Sequence, residues 1–280
     1  MKTQKDSKRA SRMARGRSEW RGRAFTLTEL LVVMGLMTLL TSVLWPAVLQ
    51  AGRHARAVAC QSQLKQWGLA FSLFLEEHNA PVPVTSHTEW DLVWRPYCGP
   101  RRSLFLCPMA ARYESNRDDP IRVEREATGY GIGSKFTAWK LPTRTPTTLE
   151  PGLLLGSYGV NGSGWTFLDA RVSRGRPFLR SQIPIVLDCV CLYSSADGSD
   201  APPAYDGALA SPADLKSWCL DRHQGTINGL FLDWSVRGVG LKELWTLDWS
   251  PWFDRRGPWT RTGGVQPEDW PAWMHSFKDY

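Results

Sequence analysis

The chain has 280 residues, of which 42% are hydrophobic and 15 are Trp, enough apolar surface to exclude disorder along its whole length. The formal net charge of +7, from 34 basic against 27 acidic residues, resides in residues 1–24, where nine Lys and Arg accompany two acids; the remaining 256 residues hold 25 of each sign. That neutrality argues against a phosphate-tracking groove on the folded body, and so against nucleic acid as a partner.

In chain order, residues 1–24 read as a basic leader. Leu30 to Gln50 (LLVVMGLMTLLTSVLWPAVLQ) carries no charge, and about 20 apolar residues suffice to cross a bilayer as a helix. A membrane-spanning segment over 27–50 is expected. The basic excess before it predicts a cytoplasmic N-terminus with the body outside. A cleaved secretory signal is the competing reading, but the apolar run is long for a signal core. Trp45-Pro46-Ala47-Val48 also lacks the small-residue spacing such a cut requires.

Glu29 breaks the apolar pattern, and an ionisable group in such a segment is costly unless it pairs with something. The order Gly22-Arg23-Ala24-Phe25-Thr26-Leu27-Thr28-Glu29-Leu30-Leu31 resembles the processing site of type IV prepilins and type II secretion pseudopilins. The resemblance implies that a prepilin peptidase removes the leader after Ala24 and that the new amine of Phe25 is N-methylated. Glu29 would then correspond to the glutamate that pairs with a new N-terminal amine during assembly. Ala24 stands where Gly is commoner, a change expected to slow processing rather than abolish it. Pro46 lies where pilin helices commonly kink.

Past the apolar run the helix is expected to continue as an amphipathic segment over 51–79. Ala57, Cys60, Leu64, Trp67, Phe71, Phe74 and His78 recur at three- and four-residue spacing, a stripe suited to packing on a core. Pro81 and Pro83 end it. Residues 80–280 read as a β-rich globular domain. Ile183–Leu192 and Ile227–Leu232 are its strongest predicted strands. Leu141–Pro151 and Ser194–Pro212 are predicted loops by composition. The expected fold class is α+β, pilin-like, with the long N-terminal helix packed on an antiparallel sheet bearing long loops.

His223 and Asp233, with nine residues between them in DRHQGTINGLFLD, resemble the H-x9-DG segment of pseudopilin-like proteins. Further echoes are Cys60-x3-Leu64 and Leu106-Cys107-Pro108. Trp234 replaces the usual Gly; because Trp disfavours positive φ, the turn there is expected to be wider or of another type. Three readings of His223 and Asp233 stay open: turn-closing hydrogen bonds, a divalent site such as calcium with Asp188 or Asp221, or a catalytic pair. No G-x-S-x-G or H-E-x-x-H accompanies them.

All six cysteines follow the spanning segment, where an oxidising compartment permits disulfides. Cys98 with Cys107 is the expected local pair; Cys189 and Cys191, two apart in a strand, should face the same way. Six Trp from Leu241 onward suit core packing, with one or two left at an interface. The sequence thus points to a non-enzymatic pseudopilin-like subunit of a type II secretion or type IV pilus-like filament. It would be single-pass in the bacterial inner membrane, with the prepilin peptidase and other pilin or pseudopilin subunits as partners. The alternative is a membrane-anchored module outside the cytoplasm that binds carbohydrate or protein through the Trp-rich tail. No cofactor is expected beyond the calcium option at His223 and Asp233; for the cysteines, zinc is the runner-up to disulfides, on the weak signal of one C-x-C, and free buried thiols are the remaining reading.

Overall fold

The computed structural model of the chain describes residues 25–78, 94, 96–97, 102–110, 132–143, 152–168, 178–208 and 214–280. The chain forms two compact units, residues 1–50 and 51–280. The first contains most of the apolar part of helix α1 (Leu27–His78). Thr26 and Glu29 close a capping box at its start: the Glu29 carboxylate accepts from the Thr26 amide at 2.9 Å, and the Glu29 amide donates to Thr26 Oγ1 at 3.2 Å. Pro46 lies inside the helix. Every side chain from Phe25 to Gln50 is exposed. Among the described residues, α1 is the one helix long and apolar enough to cross a membrane.

In the second unit the aromatic stripe of α1 is buried as its spacing predicts, through Cys60, Leu64, Trp67, Phe71 and Phe74. His78, at the helix end, is exposed and stacks on Phe74. A fully buried side chain of this kind contributes about 1.5–3 kcal/mol over its exposed state. Gly68 permits close approach, since a Cβ there would meet Leu230 Cδ1 at 3.0 Å.

The stripe packs on a five-stranded sheet in the order β5-β3-β4-β6-β7. Its strands are β3 (Tyr158–Asn161), β4 (Pro184–Asp188), β5 (Tyr193–Ser194), β6 (Thr226–Phe231) and β7 (Val236–Gly240). The opposite face is covered by the loop around Trp218 and by the C-terminal segment through Trp245, Trp249, Trp270 and Met274. Cover on both faces explains why β4 is apolar almost throughout instead of alternating.

The structure departs from expectation in three places. The sheet is mixed: β3 pairs antiparallel with β4 but parallel with the two-residue β5. The predicted loop from Leu141 begins instead as strand, since β1 (Trp139–Thr143) pairs antiparallel with β2 (Gly152–Gly156) in a separate two-stranded sheet. Pro142 is tolerated because each strand of a pair has an edge that needs no donor.

The third departure is the β6–β7 turn, which is tight. The Trp234 amide donates to Phe231 O and the Phe231 amide to Ser235 O, leaving a three-residue loop whose last residue is left-handed, with Trp234 at φ 64°. Trp occupies a backbone region that costs an L-residue roughly 1–2 kcal/mol. Its ring stacks toward Phe71 at 6.5 Å, and Lys65 Nζ donates to its carbonyl. Packing therefore offsets the conformational cost. Trp234→Ala keeps the strain and loses the ring, whereas Trp234→Gly loses the ring and relieves the strain. The Gly variant is expected to be about 1 kcal/mol more stable than the Ala variant in urea unfolding, reversing the usual order; an Ala variant equal or more stable contradicts this account of the turn.

Candidate functional site

The C-terminal end of β4 meets three other parts of the chain at one buried polar cluster: Cys60 from α1, Cys107, Asp188 and His223. Each arrives by a local device. Cys60 belongs to the buried stripe of α1. Cys107 follows a short 3-10 turn, Arg102–Phe105, fastened when Trp67 Nε1 donates to Leu104 O and the Ser157 amide donates to Phe105 O. Asp188 ends β4 opposite Tyr158 of β3. His223 sits in a tight loop with two consecutive left-handed residues, Gln224 and Gly225. The Asp221 carboxylate closes that loop by accepting from the Gly225 amide, and the His223 amide donates to Thr226 O.

The donor atoms converge. His223 Nε2 lies 3.5 Å from Cys107 Sγ and 3.1 Å from Asp188 Oδ2, while Cys60 Sγ is 3.7 Å from the same carboxylate oxygen. Around them, Arg222 donates through Nη1 to Asp188 Oδ1 at 2.9 Å and to Ser157 O at 2.6 Å, through Nη2 to Ser134 O and through Nε to Lys135 O. The Asn228 amide donates to Asp188 Oδ2, the Cys107 amide to Ser157 Oγ, and Tyr158 OH to Cys60 Sγ. Arg222 and Asp188 are both buried.

Burial alone would raise the Asp188 carboxyl, but the charge of Arg222 and the bond to His223 outweigh it and hold it down at about 2. Burial opposes the charged form of His223, yet its bonds to Asp188 and Cys107 lift it to about 9. Cys107 is pushed up by burial and drawn back by bonds to Cys60 and His223, settling at about 7. Cys60 is pushed well up, by burial first and then by its bond to Cys107. One thiol is poised to ionise while its neighbour resists.

This arrangement does not make a catalytic triad. There, the imidazole presents one nitrogen to the nucleophile and the other to the carboxylate; here Nε2 faces both Cys107 and Asp188. Four donor atoms around one point match a cation site better than a proton relay.

Of the residues singled out from sequence, Asp188 and His223 come together. Asp221 does not join them; it pairs with Lys135 and closes the His223 loop. Asp233 serves the β6–β7 turn, accepting from the amide and hydroxyl of Ser235. Ala24 and Cys98 lie outside the described residues, and Cys107 carries a free thiol. Cys189 and Cys191 bring their sulfurs to 3.8 Å, but not as strand neighbours: β4 ends at Asp188 and both lie in the bend that follows it. In the tail, Trp245, Trp249 and Trp270 are buried, whereas Trp252 is 73% exposed. Sequence reasoning passed over Cys60, Cys107 and Arg222 as site members. The available signals were Cys60-x3-Leu64, Leu106-Cys107-Pro108 and the position of Arg222 beside His223.

In comparisons with known proteins, no family model, curated protein or solved structure matches this chain.

Proposed function

We propose that this chain is a pseudopilin-like structural subunit of a type II secretion or type IV pilus-like machine. In this reading a prepilin peptidase removes residues 1–24, Phe25 becomes the methylated N-terminus, and α1 anchors the subunit in the bacterial inner membrane. The basic leader keeps the N-terminus cytoplasmic, and the body stands in the periplasm or at the cell surface. The observation that carries the reading is the segment Phe25–Gln50: helical from Leu27, exposed along its whole length, and charged only at Glu29. A soluble protein rarely leaves so large an apolar surface uncovered, and lipid or neighbouring helices would cover it.

The capping box adds to this. Holding the Glu29 carboxylate on the Thr26 amide keeps it at the N-terminal end of α1, beside the residue that follows Phe25, whose amine cleavage would create. Co-expression with a prepilin peptidase is expected to shorten the chain by its 24-residue leader, and an aromatic in place of Ala24 is expected to block the cut. A chain that stays full length beside an active peptidase contradicts the reading.

A further inference from the structure

The buried cluster is independent of the membrane segment and of any role in a filament. We propose that Cys60, Cys107, Asp188 and His223 bind one zinc ion in a closed structural site that fastens α1 to the sheet.

Geometry is the first support. With ordinary zinc bond lengths a tetrahedral site has ligand-to-ligand edges of about 3.3–3.8 Å. Two separations fall in that range, 3.5 Å for Cys107 Sγ to His223 Nε2 and 3.7 Å for Cys60 Sγ to Asp188 Oδ2; the 3.1 Å between His223 Nε2 and Asp188 Oδ2 is a hydrogen-bond contact that has to open slightly when the proton between them leaves. All four donors lie within 4.8 Å of one another. The shared Nε2, which defeats a triad, is what a metal requires, because each ligand offers one atom to one point.

Donor chemistry is the second. Two sulfurs, an imidazole and a carboxylate suit a borderline cation and not calcium, which takes oxygen ligands. Charge is the third. On loading, both thiol protons and the Nε2 proton leave to solvent. Two thiolates and the Asp188 carboxylate then face a dication and Arg222, and the buried cluster is neutral. The surrounding bonds fit the role of outer partners, with Arg222 on Asp188 Oδ1 and the Cys107 amide held by Ser157 Oγ. A disulfide between Cys60 and Cys107 would use the two sulfurs and leave the convergence of His223 and Asp188 on them without a purpose.

The ligands come from sequence positions as distant as 60 and 223, so the ion would cross-link the domain as a disulfide does in small secreted folds. The test uses the full-length chain in detergent, from cells supplied with zinc and purified without chelator. Elemental analysis is expected to find about one zinc per chain, falling below about a tenth in Cys60→Ser or His223→Ala. Cys219→Ser, which alters a buried thiol elsewhere, should retain the metal. Cobalt exchanged into the wild-type site should give the thiolate charge-transfer and intense visible bands of tetrahedral cobalt. Wild-type Cys60 and Cys107 should resist alkylation until a chelator is added, a readout independent of how the variants fold. A folded wild-type chain without zinc, zinc retained in Cys60→Ser, zinc lost in Cys219→Ser, or a Cys60–Cys107 disulfide in the native protein would each overturn the proposal.

Discussion

Arg222→Met is expected to cost the globular domain about 3–5 kcal/mol, the largest loss of stability from any single charge. The guanidinium is buried and fully employed. It neutralises Asp188 and satisfies the carbonyls of Ser134, Lys135 and Ser157. Met fills much of the volume but leaves a buried carboxylate with only His223 for charge balance and strands the carbonyls of Ser134 and Lys135, while Ser157 O keeps the bond from the Cys189 amide. For a domain of this size each kcal/mol shifts the unfolding midpoint by about 2–4 °C, so a fall of roughly 10 °C is expected. Arg255→Met serves as contrast. Arg255 pairs with Asp248 at 3.1 Å but is half exposed, and such a pair contributes at most about 1 kcal/mol. Thermal unfolding followed by near-ultraviolet circular dichroism measures both. Similar midpoints would mean that the Arg222 network does not hold the domain together.

The second large effect is on assembly. Glu29→Ala is expected to leave insertion and leader removal intact and to reduce subunit–subunit cross-linking in the membrane by at least about tenfold, equivalent to about 1.4 kcal/mol or more. A carboxylate in an apolar helix gains most when it meets an amine there, and cleavage after Ala24 would provide that amine on Phe25 of a neighbour. The same mutation also removes the capping box, a local loss of about 1 kcal/mol. Thr26→Ala separates the two causes. It takes away the hydroxyl that caps the Glu29 amide while sparing the carboxylate, so it should cross-link nearly as wild type. Cross-linking by Glu29→Ala at the wild-type level, or equal loss in both variants, contradicts the role given to Glu29.

What the sequence discloses follows from the range of each interaction. Helix α1 is legible because its signals are local: an uncharged run, then Cys60, Leu64, Trp67, Phe71 and Phe74 at helical spacing, then Pro81. Strand β6 is legible as a short run bounded by turn residues, but of the predicted strand Ile183–Leu192 only Pro184–Asp188 is β4, because the apolar run continues through a buried bend that composition does not distinguish from strand. Pro142 misleads, because composition marks a loop and only knowledge of a two-stranded sheet would admit it to a strand. Trp234 misleads for a different reason. Its intrinsic backbone preference is overridden by packing against α1, a contact made across more than 160 residues of sequence.

The candidate site is only half legible. His223 and Asp188 attract notice as isolated polar residues in apolar surroundings. Cys60 is hidden in a helix stripe, where a thiol reads as a small hydrophobe, and Cys107 as half of a local pair with Cys98. Their meeting depends on α1 docking over the end of β4, a tertiary event with no local trace. Asp233, spaced suggestively from His223, proves to be a turn residue because the nine residues between them run the length of β6 and carry it away from the loop at Asp221–Gly225.

The central claim is that the working chain begins at Phe25. The mass of the N-terminal peptide of protein extracted from its native membranes tests it most directly. The account predicts a peptide starting at Phe25 and heavier by one methyl group on its amine; an intact Met1, or a cut near Ala51, would contradict it.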